Sequence, residues 1–141
     1  MALTFNNVRE KILNFIENTD FKSSFEVSRV DGKAGKTLAV FLVEKPEIYG
    51  DTSNNYILIR WNQLNGGEII KHFDVEISIH SKDIYECIEL KDGLITLLDY
   101  YNRPCDLDGI VKFRLNNEGG IYKDAVEERY VDKLYFDCKL I

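Results

Sequence analysis

The stretch GKAGKT at residues 32–37 contains the residue types that bind phosphate in nucleotide-handling enzymes. A phosphate-binding loop requires G-x-x-x-x-G-K-[ST], in which backbone amides surround the phosphates and a helix begins directly afterwards. Counted back from Gly35, the first glycine belongs at position 30, where the chain has Val30. The apolar run LAVFLVEK that follows predicts a strand and not a helix. We therefore interpret VDGKAGKT as a β-hairpin loop with an Asp-Gly turn.

Four polar side chains with ligand or acid–base chemistry alternate along the stretch IIKHFDVEISIH: His72, Asp74, Glu76 and His80. In a strand they share one face, but eight residues span roughly 26 Å, so the two histidines cannot bind one ion. The chain has no third histidine to complete a site. Asp74 and Glu76 have the residue types of an acid–base pair for hydrolysis. A water-facing strand surface explains all four without chemistry, and we expect that.

The three cysteines, Cys87, Cys105 and Cys138, are odd in number and have neither CxxC nor zinc-finger spacing. No histidine stands in a recognisable position as a base for any of them, so a thiol nucleophile is weakly supported. We interpret them as reduced thiols, with Cys138 on the apolar side of the last strand. The sequence therefore predicts no catalytic residue, no metal site and no cofactor.

Aromatic residues are more informative than the candidates for catalysis, since the chain has eight tyrosines, eight phenylalanines and one tryptophan. Trp, Tyr and Arg are the residue types that contribute most at protein interfaces. Two connecting segments, residues 46–55 and 116–128, are longer than a compact fold requires and are predicted contact loops. The candidate interface residues in or beside loops and on the strand YILIRWNQL are Tyr49, Tyr56, Arg60, Trp61, Tyr122 and Tyr130.

Two helices are predicted from apolar spacing. The first covers NNVREKILNFIEN, starts at a cap formed by Asn6 or Thr4, and has an apolar stripe of Phe5, Val8, Ile12, Phe15 and Ile16. The second starts at the N-cap Ser81 and ends at the NRP sequence of residues 102–104, at some cost from Gly93. Its predicted stripe is Ile84, Ile88, Ile95, Leu98 and Tyr101, widened by Leu94 and Leu97.

Six strands are predicted, four before the second helix and two after it. Their sequences are SFEVSRV, TLAVFLVEK, YILIRWNQL, IIKHFDVEISIH, GIVKFRL and YVDKLYFDCKLI, and Asn65 with the two following glycines signals a hairpin. The element order is α-β-β-β-β-α-β-β. We predict a single α+β domain over residues 1–141, in which an antiparallel sheet packs against two helices on one face.

Composition narrows the possible functions. The chain has 141 residues, 45% of them hydrophobic, which suits one domain with a normal core. Its formal net charge of −6 argues against extended binding to nucleic acid, which requires a basic surface. No apolar run is long enough to span a bilayer, and the start MALTFNNVRE lacks the pattern of a signal peptide. We expect no membrane association and synthesis in the cytoplasm.

The order of elements resembles that of the tail terminator proteins of tailed bacteriophages and phage-derived tail particles, also called tail completion or head–tail joining proteins. The stretches that carry the resemblance are VREKILNFIE, YILIRWN, FDVEISIHSKDIYECIELKDGLITLLDYY and YVDKLYFDCKLI. They cover essentially the whole chain, and the likeness is one of pattern and not of a diagnostic motif.

The resemblance implies a structural role without a reaction or a cofactor. Members of that family assemble into a ring, typically a hexamer, at the head-proximal end of the tail tube, where they stop tube growth. The implied partners are further copies of the chain, the tail tube protein, and the head connector or the sheath protein. DNA passes through such a ring without sequence-specific binding, which suits an acidic subunit. Synthesis in the host cytoplasm would be followed by assembly into the virion or tail-like particle.

Two alternatives belong to other classes of protein. A curved sheet packed on a long helix can enclose an apolar pocket for a small ligand, with or without catalysis. The apolar residues predicted to face that space, among them Phe73, Val75 and Phe136, favour a filled core instead. A small acidic inhibitor or immunity-type protein would bind its partner one to one and would not form a ring.

Overall fold

The computed structural model describes residues 2–18, 26–28, 36–38, 40–43, 55–65, 71–107 and 109–140. In chain order these residues form α1 (Ala2–Glu17), β1 (Glu26–Ser28), β2 (Lys36–Leu38), β3 (Val40–Leu42), β4 (Tyr56–Asn65), β5 (Lys71–Ser81), α2 (Ile84–Leu98), β6 (Ile110–Asp124) and β7 (Arg129–Leu140). Five strands form one sheet in the order β3-β4-β5-β7-β6, and β1 pairs with β2 separately. The predicted α+β class is confirmed.

The five-stranded sheet is mixed, so the prediction of a wholly antiparallel sheet is wrong. β3 runs parallel to β4, with Val40 opposite Ile57, whereas the other neighbouring strands are antiparallel. The sequence predicts the apolar run TLAVFLVEK as one strand. Its first part pairs back with β1 and its second part pairs with β4, so it contributes to two sheets. Among the described residues the element order is therefore α-β-β-β-β-β-α-β-β, with one strand more than predicted.

The pairing of β1 with β2 also answers the question raised by GKAGKT. The strands are antiparallel, with Val27 opposite Thr37, as expected for a hairpin. Lys36 and Thr37 lie in a strand, where no helix N-terminus is available to bind phosphate. The turn residues 29–35 lie outside the described part of the chain.

The core lies on one face of the five-stranded sheet, which we call the inner face and define by Phe73, Val75, Ile77 and Ile79 of β5. These side chains are at most 2% exposed, and three of them pair across to Cys138, Phe136 and Leu134 of β7. This clean alternation confirms the predicted strand and its apolar side. The opposite side of the sheet is called the outer face.

Helix α1 packs on the inner face through the predicted stripe: Phe5, Val8, Ile12 and Ile16 are fully buried, and Phe15 packs partly against the same core. Phe5 stacks on Trp61 with ring centroids 4.4 Å apart and meets Phe73 edge-on at 5.5 Å. The predicted cap at Asn6 or Thr4 is wrong, because the helix already begins at Ala2.

Helix α2 begins and packs differently from the prediction. Its N-cap is Asp83, whose Oδ1 accepts the Tyr85 N–H at 2.9 Å, whereas Ser81 is the last residue of β5. The helix ends at Leu98, before the NRP sequence, because Asp99 and Tyr100 bind β6 instead. The buried side is Cys87, Leu90, Leu94 and Leu98, so the predicted stripe is displaced by about one position; Ile88 is 37% exposed and Tyr101 is 64% exposed.

Gly93 allows the two helices to approach each other closely. A Cβ atom at this position would lie 2.5 Å from Cζ of Phe15 on α1, well inside van der Waals contact. The glycine that weakens α2 as an isolated helix therefore makes room for the ring of the neighbouring helix.

The segment 116–128, predicted as a contact loop, forms the second half of β6 and a four-residue turn into β7. Its side chains are largely exposed, and the pairing with β7 is interrupted between Leu115 and Asn117 and again between Glu118 and Ile121. Gly120 has φ +77°, a conformation that side chains other than glycine rarely adopt. An edge strand that is wet on both sides has no alternation, which explains why its sequence predicts a loop.

Candidate interaction surface

The outer face has an open half and a buried half. On the open half, toward Lys71, the polar residues of β5 up to Glu76 are exposed or half-buried. On the buried half, Ser78 is fully buried and His80 is 9% exposed, together with Tyr56 and Leu58 of β4. The prediction that this whole face meets water is therefore wrong for Ser78 and His80.

A pocket of about 310 Å³ opens on the open half of the outer face. It is lined by Val43, Arg60, Trp61, Asn62, Asp74, Glu76 and Tyr135. β4 and β5 place Arg60 opposite Glu76 and Asn62 opposite Asp74, and Tyr135 of β7 lies next to Glu76. The pocket thus combines two carboxylates and one guanidinium with the aromatic side chain of Tyr135, whereas the Trp61 ring turns to Phe5 on the inner face. We call it the outer-face pocket.

Arg60 and Glu76 form one wall of the outer-face pocket. Nε of Arg60 donates to the Val43 carbonyl at 2.8 Å, and Nη1 lies 3.4 Å from Oε2 of Glu76. Nζ of Lys133 lies 3.7 Å from Oε1 of the same glutamate. Glu76 is therefore already neutralised by two cations. Within the described residues, Asp74 has no ion pair, so its carboxylate is the uncompensated charge of the pocket.

At the β6 edge of the same sheet, the chain has the basic residues Lys112 and Arg114. The guanidinium of Arg114 lies 5.3 Å from the ring centroid of Tyr101, and both side chains are exposed. Arg114 stands opposite Asp137, but Nζ of Lys112 already pairs with that carboxylate at 2.6 Å. In the described part of the chain Arg114 makes no ion pair, so its charge is available to a partner.

Both edges of the five-stranded sheet are partly covered, by the side chains of Arg9 and Asp99 and by the backbone of Tyr100. At β3, Nε of Arg9 on α1 donates to the Val40 carbonyl at 2.7 Å. At β6, the Tyr100 N–H donates to the Phe113 carbonyl at 2.9 Å, and the Leu115 N–H donates to Oδ1 of Asp99 at 3.1 Å. These contacts occupy backbone groups that would otherwise be free to pair with another strand.

The buried half of the outer face contains a polar cluster that joins the β6–β7 turn to the sheet. The Tyr56 hydroxyl donates to Glu127, and the Tyr56 ring stacks on His80 with centroids 4.3 Å apart. The guanidinium of Arg129 lies 5.1 Å from the same ring, and Oγ of Ser78 is 2.9 Å from Nε2 of His80. Burial lowers the pKa of His80 to about 4, and burial together with Glu127 raises the pKa of Tyr56.

Ser78, His80 and Glu127 have the residue types of a nucleophile, a base and an orienting acid, with His80 Nδ1 4.0 Å from Glu127 Oε2. Two observations argue against that chemistry. The Ser78 side chain is fully buried, so a substrate has no path to its hydroxyl. A histidine with a pKa near 4 is also a weak base at neutral pH. We interpret the cluster as a structural contact.

A buried carboxylate lies on the inner face under α2. Asp132 is fully buried, and neither of its oxygens has a hydrogen-bond partner among the described residues. Nζ of Lys91 lies 3.6 Å from Asp132 and 3.4 Å from Glu118, which closes the space between the helix and the sheet. Burial raises the pKa of the Asp132 carboxyl despite the opposing effect of Lys91.

The cysteines and histidines form no reactive or metal-binding group in the residues described. Cys87 and Cys138 are buried, and burial raises the pKa of each thiol to about 12; burial also raises the pKa of Cys105. Their thiols are therefore protonated at neutral pH and are poor nucleophiles. Across the described ranges, no three His, Cys, Asp or Glu side chains are grouped to hold a metal ion.

The six candidate interface residues lie in different environments. Tyr49 lies outside the described residues. Tyr56 is only 2% exposed and packs within the chain, whereas Arg60 and the half-buried Trp61 line the outer-face pocket. Tyr122 of β6 is 48% exposed, and Tyr130 of β7 is half-buried with Lys123 over its ring at 5.8 Å. The structure therefore places Arg60 on the outer face and the Trp61 ring on the inner face against Phe5, and it separates both from the two tyrosines near the β6–β7 turn.

Sequence reasoning missed several residues of this surface. It considers Asp74 and Glu76 as ligands or an acid–base pair and expects them on a water-facing strand surface, and it does not single out Tyr135, Val43 or Arg114. Alternation along β5 and β7 assigns Asp74, Glu76 and Tyr135 to the outer side of their strands. What it does not give is the pairing of β5 with β7, which brings Tyr135 beside Glu76.

No helix among the described residues has the length and apolar character needed to cross a membrane. No protein-family model matches the chain, and no curated protein matches it. Among solved structures, the chain is similar to one from the virion of a native gene transfer agent (GTA) particle, with a TM-score of 0.52 and 12% sequence identity. The similarity covers 72% of this chain and 78% of the other. At this identity the comparison shows a shared fold.

Proposed function

We propose that the chain is a structural component of a phage-like particle and that it works as a tail terminator. In this role several copies form a ring at the head-proximal end of the tail tube, where they end tube growth and provide the surface for head joining. The observation that carries the proposal is the fold shared with a chain of a gene transfer agent virion. The family resemblance of the element order points to the same class of protein.

The charge and the surface of the chain suit this role. A formal net charge of −6 would let DNA pass through the ring without adhering to it. A ring needs two different surfaces on each copy, so that each copy binds the next one head to tail. Addition of further copies ends when the last contact closes the ring. We propose further copies of the chain, the tail tube protein, and the head connector or sheath protein as partners. The described surface offers two distinct regions for such contacts, the outer-face pocket and the basic side of β6.

The test combines the mass of the assembly with a capping assay. Six copies of a 16.4 kDa chain weigh about 98 kDa, which native mass spectrometry separates from a monomer, and negative-stain images would show closed rings. Added to polymerising tail tubes of its own particle, the chain should shorten them and appear at one end only. Tubes of unchanged length without bound chain would contradict the proposal.

Small-ligand binding is a second candidate because the outer-face pocket is open and has mixed polarity. The pocket lies on the face opposite the helices, whereas the sequence suggests a space between sheet and helix. Its uncompensated Asp74 favours a cationic ligand. A thermal-shift screen of amines and guanidines separates the candidates, since a saturable stabilisation that Asp74→Asn abolishes would favour a ligand-binding role.

A further inference from the structure

We propose that neighbouring copies of the chain bind through Arg114 and Tyr101 of one copy and the outer-face pocket of the next. This inference rests on the ring proposed above and names the two surfaces that meet in it. The occupant of the outer-face pocket is a second copy of the same chain, and the recognised group is a guanidinium beside an aromatic ring.

The pocket provides the accepting charge. Asp74 is half-buried and forms no ion pair with any described residue, whereas Glu76 is held by Arg60 at 3.4 Å and Lys133 at 3.7 Å. Because Arg60 and Lys133 both pair with Glu76, Asp74 is the lining carboxylate that no described cation pairs with. Because Asp74 is half-buried, it attracts a cation more strongly than a fully exposed carboxylate would. Tyr135 on the wall provides an aromatic surface for a guanidinium.

The basic side of β6 provides the donated group. The guanidinium of Arg114 stays beside the exposed Tyr101 ring, and its cross-strand neighbour Asp137 is already paired with Lys112. Arginine and tyrosine are among the residue types that dominate interface energies. Because Tyr101 holds the guanidinium in place, Arg114 loses little conformational freedom when it enters a partner.

The location of the two surfaces suits head-to-tail binding. The pocket opens on the outer face over β4, β5 and β7, whereas Arg114 belongs to the edge strand β6, two strands from Asp74, and its guanidinium lies beside Tyr101 at that edge. One copy can therefore offer its β6 side to the pocket side of the next, and repetition of that contact closes a ring. Copies with a formal charge of −6 repel each other overall, so a local pairing of opposite charges also sets the register.

A charge-swap experiment tests the pairing. Asp74→Arg and Arg114→Asp are made separately and together, and the mass distribution of each is measured by sedimentation velocity over a range of concentrations. Each single variant should weaken self-association by about tenfold or more, since it places like charges in contact. An equimolar mixture of the two single variants should regain assembly, because every contact between one variant and the other again joins a guanidinium to a carboxylate. The double variant should assemble alone for the same reason.

Four further variants control for the change of charge. Glu89→Arg and Lys82→Asp make the same charge changes at exposed positions outside both surfaces and should assemble like the wild type. Arg114→Gln and Asp74→Asn remove the charges without reversal and should weaken association less than the reversals. Circular dichroism and thermal melts confirm that each variant is folded before its mass is interpreted.

The outcomes separate this inference from the proposed function. Rings that form equally well with either single variant, or a mixture that stays dissociated, would overturn the pairing while leaving the terminator role intact. A wild-type chain that stays monomeric at every concentration would also overturn it, and the tube-capping assay would then decide the terminator role alone. Charge-swapped rescue in a chain that never caps tubes would support the pairing and contradict the terminator role.

Discussion

Burial of the polar groups on the outer face costs folding free energy that burial of a hydrophobic residue in the same place would not cost. Tyr56 donates a hydrogen bond to Glu127 and stacks on His80, but Nδ1 of His80 has no hydrogen-bond partner among the described residues. A protonated His80 would need a hydrogen-bond acceptor for Nδ1, and it would lose the hydration that it has in the unfolded chain. The cluster is therefore stable only while the imidazole is neutral, which makes stability depend on pH.

We predict that His80 contributes to acid destabilisation. Its pKa is about 4 in the folded chain and about 6.5 when unfolded, so the unfolded chain binds more protons between these values. The free energy of unfolding should therefore fall as the pH is lowered from 6.5 to 4, by about 3 kcal/mol at most from this group. Urea unfolding at a series of pH values measures the slope.

The variant His80→Gln should show a smaller loss of stability over that interval than the wild type. His72→Gln, on the open half of the same strand, is the matched control and should keep the wild-type slope. Equal slopes for the wild type and His80→Gln would show that His80 is not responsible.

Asp132 gives a second prediction at this scale. Its folded pKa is raised, so stability that is present at low pH is lost as the pH rises from the unfolded value of 3.8 through the folded one. Asp132→Asn removes the charge with little change in shape, and Lys91 keeps its contact with Glu118. We expect the free energy of unfolding at pH 7 to rise by about 1 kcal/mol, as measured by urea unfolding.

Asp137→Asn is the control, because this carboxylate is 35% exposed and pairs with Lys112. Loss of a partly exposed pair should lower stability by about 1 kcal/mol or less. If Asp132→Asn lowered stability more than Asp137→Asn, the buried ion pair would be a net stabiliser and the prediction would be wrong.

At the scale of the elements, alternation and helical spacing identify the parts that are buried on one side only. Strands β5 and β7 and the stripe of α1 follow directly from the positions of Phe73, Phe136 and Ile12. The pattern fails where neighbours override it. The start of α2 is set by the side chain of Asp83, and the second half of β6 is an exposed edge strand without periodicity. The parallel pairing of β3 could not be predicted, since only tertiary contacts determine it.

The contact between Gly93 and Phe15 makes a prediction about helix packing. Alanine is a better helix former than glycine by about 1 kcal/mol, so Gly93→Ala would stabilise an isolated α2. In the folded chain its Cβ would lie 2.5 Å from the Phe15 ring, which must move. We expect a net destabilisation of about 1–3 kcal/mol, the usual cost of overpacking.

The second variant isolates the clash. Phe15→Leu alone should lower the free energy of unfolding because packing is lost. When Gly93→Ala is added to Phe15→Leu, it should lower this free energy by less than it does in the wild type. Additive effects in this double-mutant cycle, measured by urea unfolding, would mean that the two side chains do not compete for space.

For the whole molecule, the sequence predicts an interaction protein with no reaction but does not locate its surface. Arg60 and Trp61 are identified by residue type alone; both border the outer-face pocket, but the Trp61 ring packs against Phe5 on the inner face. Tyr56 is identified by the same rule and is buried, because exposure depends on which strands and turns cover a face. Asp74 and Arg114 become candidates only when the strand registers place both on the outer face, Asp74 on the central strand β5 and Arg114 on the edge strand β6.

The covered edges of the sheet predict how the chain avoids uncontrolled association. Asp99→Ala would leave the Leu115 N–H on the edge of β6 without its acceptor. We expect this variant to aggregate faster than the wild type at temperatures where both remain folded, as followed by light scattering. Asp99→Asn keeps an accepting oxygen and Asp92→Ala removes an exposed carboxylate from α2, so both should behave like the wild type. Equal aggregation of all four would show that the edge contact is not protective.

The position of β7 in the sheet has a consequence for the order of folding. This strand pairs with β5 on one side and with β6 on the other, although it comes after both in the chain. Until β7 is in place, β3, β4 and β5 cannot be joined to β6, and α2 has only part of the surface it covers. Contacts between segments so distant in sequence form slowly because a long loop must close first. During synthesis the inner-face side chains of β5 and β6 therefore stay without their β7 neighbours until the final described strand is available.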